Sequence, residues 1–169
     1  VGRLTKQKNY TFLIKAFYEI QKKDNDINLF ILGDGDERSE LLKRIKELEL
    51  VDKIFLIGHQ ENVYKYIKDA KIFVLTSLWE DPGFVLLEAG FMNKVVLSSD
   101  CPSGPREILD NGNNGYIYKS NSLTNFIEKY EKILNENNRI ILQKKINLKK
   151  KCKEFTCFNH YRMLNKILS

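Results

Sequence analysis

Two glutamates in the segment EDPGFVLLE combine residue type and spacing in a way that could do chemistry. Glu80 and Glu88 bracket seven residues across a predicted loop-to-helix junction, where Pro82 suits a helix start and Gly83 lets a ligand approach the backbone. The free N–H groups of a helix N-terminus attract anions. Glu88 falls inside an otherwise apolar helix, where a carboxylate needs a partner. That partner is either a ligand hydroxyl or a protein group, and Glu80 either faces a ligand or caps the helix.

The elements that must position these glutamates alternate along the chain. Short apolar, β-branched runs predict strands at Leu29 to Leu32, Ile54 to Ile57, Ile72 to Leu75, Val95 to Leu97 and Tyr116 to Tyr118, with a truncated first strand at Val1. Amphipathic helical stretches separate them. This alternation predicts an α/β fold in one domain, 1–169: a Rossmann-like, doubly wound parallel sheet of about six strands with helices on both faces.

The last third of the chain has a different pattern of predicted elements from the first two thirds. The strand–helix alternation stops after Tyr118, and extra C-terminal helices follow. The last helix carries an apolar stripe, Phe158, Tyr161, Leu164 and Ile167, which we expect to pack on the sheet domain or on a neighbour outside this chain. The segment from Phe84 to Met92 is apolar almost all round and predicts a helix buried in the centre of the fold.

Ligands of open parallel sheets bind beyond the carboxyl ends of the strands. The sequence places its unusual residues there: Gly2 and Arg3, Gly33 to Asp36, Gly58 and His59, Ser77 to Gly83, and Ser98 to Arg106. Gly33 and Gly35 do not form a dinucleotide fingerprint, because the third glycine is missing and the loop follows a second strand. We interpret them as a turn.

Cysteine and histidine usage predicts neither disulfides nor a metal site. Cys101, Cys152 and Cys157 include no C-x-x-C pair, and His59 and His160 are isolated. These observations favour a reducing cytoplasm and no metal. We expect no catalytic histidine in this chain, with His59 kept open because it sits at the end of a predicted strand.

The net charge of +6 suits an anionic ligand, a nucleic acid or an anionic membrane, and much of the excess lies between Lys144 and Lys153. Without interleaved aromatic residues or a nucleic-acid module, we expect no nucleic-acid partner. Peripheral contact with an anionic membrane stays open if the acceptor is lipid-linked, although such a lysine run is usually a solvated helix face.

The motifs, taken together, resemble the family 4 retaining glycosyltransferases of the GT-B fold. That family carries a Glu, seven residues, Glu signature in its C-terminal domain. Further segments of this chain are similar to the family, in order and spacing: VGRLTKQKN, LFILGDGDERSEL, IFLIGHQENVYKYIKDAKIFVLTSLWED and DCPSGPREIL. The last is similar to members that act in bacterial lipopolysaccharide or related glycan assembly. The resemblance covers roughly residues 1–118.

The resemblance implies a role for each matching residue. Arg3 and Lys8 match a basic pair that grips the donor diphosphate, Glu80 matches the glutamate facing the donor sugar, and Glu88 matches the glutamate that binds the ribose hydroxyls. Backbone N–H groups around Gly83, Phe84 and Val85 would contact sugar or phosphate. Ile57, Gly58 and His59 lie where the family holds the base.

The same resemblance implies the reaction and an acceptor domain that is not part of this sequence. The chain would bind a nucleotide sugar, most simply a UDP-sugar, without a metal or cofactor, for transfer with retention to a glycan or lipid-linked acceptor. The chain opens on VGRL and lacks a starting Met, so we expect a fragment whose N-terminal acceptor domain is absent and which is inactive alone. The alternative is a non-catalytic nucleotide-sugar-binding module of the same fold. A phosphorylase would need a cofactor-lysine signature, which the chain lacks, and an epimerase different sugar-loop residues.

Two pairs of residues leave questions open. Asp81 and Pro82 stand where the family usually has glycine and an aromatic residue, which puts the identity of the donor sugar in doubt. Arg106 and Glu107 either bind donor or cap the short helix that they begin.

Overall fold

The computed structural model describes residues 1–168, in which strands and helices alternate up to residue 118 and helices alone follow. The strands are β1 (Leu29–Leu32), β2 (Ile54–Gly58), β3 (Ile72–Leu75), β4 (Val95–Ser99) and β5 (Tyr116–Tyr118). The α-helices are α1 (Tyr10–Gln21), α2 (Arg38–Glu47), α3 (Tyr64–Asp69), α4 (Phe84–Phe91), α5 (Pro105–Ile108), α6 (Leu123–Asn135), α7 (Asn138–Cys152) and α8 (Cys157–Leu168). Short 3₁₀ turns cover Lys6–Lys8, Asp110–Gly112 and Lys153–Phe155.

All strand pairs are parallel, as predicted, but the strands form two sheets, β1-β2 and β3-β4-β5. The expected sixth strand at Val1 is not formed. The next residues make one backbone hydrogen bond to the end of β1, from Gly2 N to Leu32 O (2.9 Å), and one to the turn after it, from Leu4 N to Asp34 O (2.9 Å). Two isolated bonds do not extend a regular ladder, so five strands remain in the described residues 1–168.

Helices cover both faces of the three-stranded sheet. Alternate residues of β3 belong to different hydrophobic clusters: Ile72 and Val74 pack with α1, α2 and α6, whereas Phe73 and Leu75 pack with α3, α4, α5 and α7. Side chains alternate between the faces of a strand, so this division requires a helical layer on each side. The doubly wound α/β architecture is therefore confirmed.

Two helices expose more apolar surface than predicted. Helix α4 buries Leu86, Leu87, Ala89 and Gly90, but Phe84 and Phe91 are 60% and 43% exposed. The expectation of an all-round buried helix was wrong, because residues seven apart share a helix face and this face is only partly covered among residues 1–168. Helix α8 buries none of its side chains, so its stripe does not pack on the sheet domain.

None of the helices within residues 1–168 is both long and apolar enough to cross a bilayer.

Candidate donor-binding site

The centre of the candidate site is an ion pair between two predicted residues that lie far apart in sequence. Lys8 Nζ is 2.6 Å from Glu80 Oε1, and the Ser77 hydroxyl donates to the same oxygen at 2.5 Å. Glu80 is only 6% exposed, and the Lys8 side chain 17%. A carboxylate this buried needs charge-assisted hydrogen bonds, and here it accepts two.

Backbone and side-chain hydrogen bonds fix the Lys8 loop to the segment that leads into Glu80. Thr76 Oγ1 donates to Lys8 O (2.8 Å) and Leu78 N donates to Gln7 O (2.8 Å). The Gln7 side-chain amide donates to Trp79 O at 2.9 Å. These bonds join the segment around Lys8 to the fourth predicted ligand loop, so the backbone that carries Lys8 is held beside the backbone that leads to Glu80.

Gly2 lies close to the side chain of Lys8, and Arg3 is the next residue along the chain. A Cβ at Gly2 would lie 3.1 Å from Lys8 Cε, and Tyr10 donates its hydroxyl to Gly2 O at 3.3 Å. Burial, and then the charge of Glu80, raises the pKa of the Tyr10 phenol. Arg3 follows directly and is exposed, so its guanidinium is available to a ligand.

The GDGD turn has a packing role, in keeping with its interpretation as a turn. A Cβ at Gly33 would lie 1.9 Å from Gly2 O, and one at Gly35 would lie 2.5 Å from Leu4 O. Any side chain at either glycine would displace the segment that carries Arg3.

The loop after β4 crosses over the turn that holds Glu80. Glu80 N donates to Pro102 O at 3.1 Å, and a Cβ at Gly104 would lie only 1.7 Å from Pro82 O. Gly104 also has a positive φ of 100°. The position of the Glu80 turn therefore depends on the absence of a side chain at Gly104.

We expect Gly104→Ala to destabilise the fold more than Gly112→Ala does. Both glycines have a similar positive φ (100° and 103°), but a Cβ at Gly112 meets no atom within 4 Å. Both variants pay the backbone strain of about 1–2 kcal/mol, and Gly104→Ala adds an overpacking cost of about 1–3 kcal/mol. Urea unfolding of the two variants measures the difference. Equal free energies of unfolding would show that the loop moves away from Pro82 at no cost.

The N-terminus of α4 opens beside Glu80. Gly83 is the N-cap residue in the left-handed region (φ 83°), and a Cβ there would lie 3.3 Å from Glu80 Cγ. The N–H groups at the start of a helix lack intrahelical acceptors, so those of Phe84 and Val85 can meet a ligand. The Val85 side chain packs against the hydrophobic cluster on the α4 face, whereas Phe84 points outward.

Glu88 lies one turn further along α4, on the accessible face that Phe84 and Phe91 share. It is half-buried, and this burial raises the pKa of its carboxyl. Burial, and then the charge of Lys8, lowers the pKa of the Val1 amino group to about 6, whereas the charges of Glu88 and Glu80 raise that pKa.

The predicted base-binding residues lie at the end of β2, in the other sheet. Gly58 O accepts from Gly33 N at 2.8 Å, which ties this loop to the GDGD turn. His59 is exposed, Ile57 is half-buried, and Gly58 has open space beside it. Within residues 1–168, these three residues make no hydrogen bond to Glu80.

Arg106 does not cap its helix. Its guanidinium pairs with Asp100 Oδ2 at 3.2 Å, while Asp100 Oδ1 accepts from Ser120 N at 2.8 Å. The N-terminus of α5 has no side-chain cap. Within residues 1–168, His, Cys, Asp and Glu form no group of three or more that could hold a metal ion.

Sequence reasoning missed the residues that hold the ion pair. Ser77 and Ser99 are fully buried, and Ser99 Oγ donates to Ser77 O at 2.7 Å. Ser77 could have been found from its position, because a small polar residue that follows a buried strand three residues before Glu80 can donate a hydrogen bond to that carboxylate.

Comparison with known proteins identifies the family. The family described as "Glycosyl transferases group 1" matches residues 1–154. A 4-α-N-acetylgalactosaminyltransferase acting on an undecaprenol-linked saccharide, from Campylobacter jejuni, is 38% identical over 117 residues, 69% of this chain and 31% of the relative. The poly(ribitol-phosphate) α-N-acetylglucosaminyltransferase of Staphylococcus aureus is 27% identical over 135 residues, 80% of this chain and 27% of the relative. The chain thus spans about a third or less of these curated relatives.

Solved structures share the fold. A mutant of S. aureus TarM in complex with Fondaparinux, alpha-GlcNAc-glycerol and UDP superposes with a TM-score of 0.87 at 24% identity, covering 99% of this chain and 33% of that one. Anabaena HepE in complex with UDP gives 0.84 at 19% identity, covering 99% and 46%. At such identities these structures show the fold alone. The chain belongs to the group 1 glycosyl transferase family, and its fold is that of the C-terminal domain of a GT-B glycosyltransferase.

Proposed function

We propose that this chain is the donor-binding half of a retaining glycosyltransferase that takes a UDP-sugar. The observation that carries the proposal is the buried Lys8–Glu80 pair beside the open N-terminus of α4, with Glu88 on the accessible face of the same helix. A cation, free N–H groups and two carboxylates form a set that suits a diphosphate flanked by two groups rich in hydroxyls.

Each part of the donor has a proposed partner. Arg3 and Lys8 bind the diphosphate, Glu80 faces the sugar, and Glu88 accepts hydrogen bonds from the ribose. The N–H groups at Gly83, Phe84 and Val85 contact sugar or phosphate, and Ile57, Gly58 and His59 receive the base. The UDP in the TarM and HepE structures supports this choice of nucleotide.

The proposed chemistry follows from the charges. When the bond between the sugar and the diphosphate breaks, negative charge accumulates on the leaving phosphate. Arg3 and Lys8 stabilise that charge in the transition state, which is the task a metal ion performs in other transferases. We therefore propose that the reaction needs no metal or cofactor, and that the departing phosphate assists deprotonation of the acceptor as the configuration is retained.

We expect Glu88→Ala to weaken UDP binding by roughly 1–3 kcal/mol, the scale of a lost charged hydrogen bond. Calorimetry on this chain measures the change, and Glu47→Ala is the control, because Glu47 is an exposed glutamate in another helix. Unchanged UDP affinity in Glu88→Ala would remove Glu88 from the ribose site.

The test of the proposal as a whole is a thermal-shift panel of nucleoside diphosphates and UDP-sugars on this chain. A ligand that binds only the folded state raises its stability by mass action. We expect UDP and a subset of UDP-sugars to raise the melting temperature. The alternative, a non-catalytic nucleotide-sugar-binding module, would pass this test, but the full-length protein would then bind the donor and transfer nothing.

We propose that the acceptor is a glycan or a lipid-linked saccharide and that it binds to an N-terminal domain outside this chain. The names of the curated relatives support this class of acceptor. The apolar side chains of α8 support a further domain, since Phe158 and Ile167 are 74% and 77% exposed. An apolar stripe of this size is typical of a surface that another domain covers.

We further propose a cytoplasmic protein that contacts the inner face of the membrane peripherally, with no nucleic-acid partner. The exposed Lys149 and Lys150 at the end of α7 support this membrane contact, because each basic residue near an anionic surface adds about 1 kcal/mol to the binding free energy. Sedimentation with anionic and neutral vesicles tests this contact, and equal binding to both would refute it.

A further inference from the structure

The ion pair at the centre of the site raises a problem for donor binding. The proposed function, on which this inference rests, gives the Lys8 ammonium to the donor diphosphate. In the structure that ammonium is already 2.6 Å from Glu80 Oε1. A diphosphate carries more negative charge than one carboxylate, so it weakens the hold of Lys8 on Glu80 as it binds.

The two loops cannot separate to resolve this competition. Thr76 Oγ1 and Leu78 N each bind a backbone carbonyl of the Lys8 loop at 2.8 Å. Moving the loops apart would break these bonds, whereas turning one lysine side chain breaks none of them. The exchange of partners therefore takes place at the Lys8 side chain, and the Glu80 carboxylate stays where it is.

Glu80 then remains buried, and its ion pair with Lys8 is weaker than in the free protein. Its second donor is the Ser77 hydroxyl, at 2.5 Å from the same oxygen. Ser77 is fully buried, and its backbone carbonyl accepts from Ser99 Oγ at 2.7 Å, so the backbone that carries the hydroxyl is held in place. A buried carboxylate that loses its hydrogen-bond donors carries a large desolvation cost.

We propose that Ser77 is a positioning residue for Glu80: its hydroxyl holds the buried carboxylate in place while the donor diphosphate draws the Lys8 ammonium away. In the free protein Lys8 and Ser77 share the carboxylate. In the donor complex Ser77 holds it, which leaves Glu80 aimed at the sugar.

The test is the affinity of four forms of this chain for UDP and for uridine: unmodified, Ser77→Ala, Glu80→Ala and the double variant. We expect Ser77→Ala to lower UDP affinity about tenfold, the effect of one lost hydrogen bond to a buried charge, and to leave uridine affinity unchanged. In the Glu80→Ala background the same change should have no effect on UDP, because no carboxylate remains to be held. Ser98→Ala is the matched control, since Ser98 is an equally buried serine whose hydroxyl bonds to Ser99 O.

The outcomes separate this inference from the proposed function. Equal losses for UDP and uridine, a loss that persists in the Glu80→Ala background, or no loss in Ser77→Ala would each overturn the role of Ser77. Failure of the unmodified chain to bind any nucleoside diphosphate would instead overturn the proposed function and this inference with it.

Discussion

The isolated chain is expected to bind UDP and to transfer no sugar, and transfer is expected to appear when the N-terminal domain is supplied. The reacting carbon of the donor must point away from Glu80 and α4 toward an acceptor held elsewhere. Holding two reactants in register contributes effective molarities of up to ~10⁵ M or more. Half of a cleft forgoes that contribution, and it leaves the glycosidic bond open to water, so slow donor hydrolysis is the most activity we expect.

The measurement compares this chain, the full-length protein, and the two halves mixed in trans. Product formed from a UDP-sugar and an acceptor is followed by chromatography, and NMR of the product reports the anomeric configuration, which we expect to be retained. Robust transfer to a defined acceptor by residues 1–169 alone would refute the proposal and would require an acceptor site within this chain.

Replacing either residue of the basic pair is expected to lower the affinity for UDP far more than the affinity for uridine. Arg3→Ala and Lys8→Ala each remove charged hydrogen bonds to phosphate, worth about 1.5–3 kcal/mol, which corresponds to roughly 10- to 150-fold in affinity. Uridine lacks the phosphates and should bind equally well to all forms. Calorimetry with both ligands measures the ratio, and equal losses for the two ligands would show that the basic residues act through folding.

The structure adds a control for the lysine. Lys8→Ala alone leaves the buried Glu80 without its cation, a situation that costs about 3–5 kcal/mol of stability in comparable pairs. The double variant Lys8→Ala/Glu80→Ala removes both charges, so it should recover stability and still lose UDP affinity. A double variant that regains UDP binding would show that Lys8 serves only to neutralise Glu80.

Glu80→Ala alone is expected to do the reverse of the basic variants. It should not weaken UDP binding, because the carboxylate faces the sugar and competes with the diphosphate for Lys8, and it should abolish transfer in the full-length enzyme. A Glu80→Ala enzyme that keeps its transfer rate would remove Glu80 from the sugar site.

The local elements could be predicted from the sequence because their signals are local. The β1 and β3 strands begin and end where their apolar runs do, and α4 begins directly after Gly83. Strand runs and helical periodicity each act over a few residues, so composition and spacing determine them. The same holds for the resemblance of residues 1–118 to a glycosyltransferase family, which the match over residues 1–154 confirms at the level of the family.

Only the tertiary structure decided which groups meet. Lys8 and Glu80 are 72 residues apart, and their contact depends on how the N-terminal segment packs against the loop after β3. Local patterns do not record that closure. The roles of Ser77 and Gly104 come from the same source, since each depends on a neighbour brought close by packing. The split sheet and the open faces of α4 and α8 were likewise decided by what lies beside each element, because burial belongs to the pair of surfaces in contact and not to one helix or strand alone.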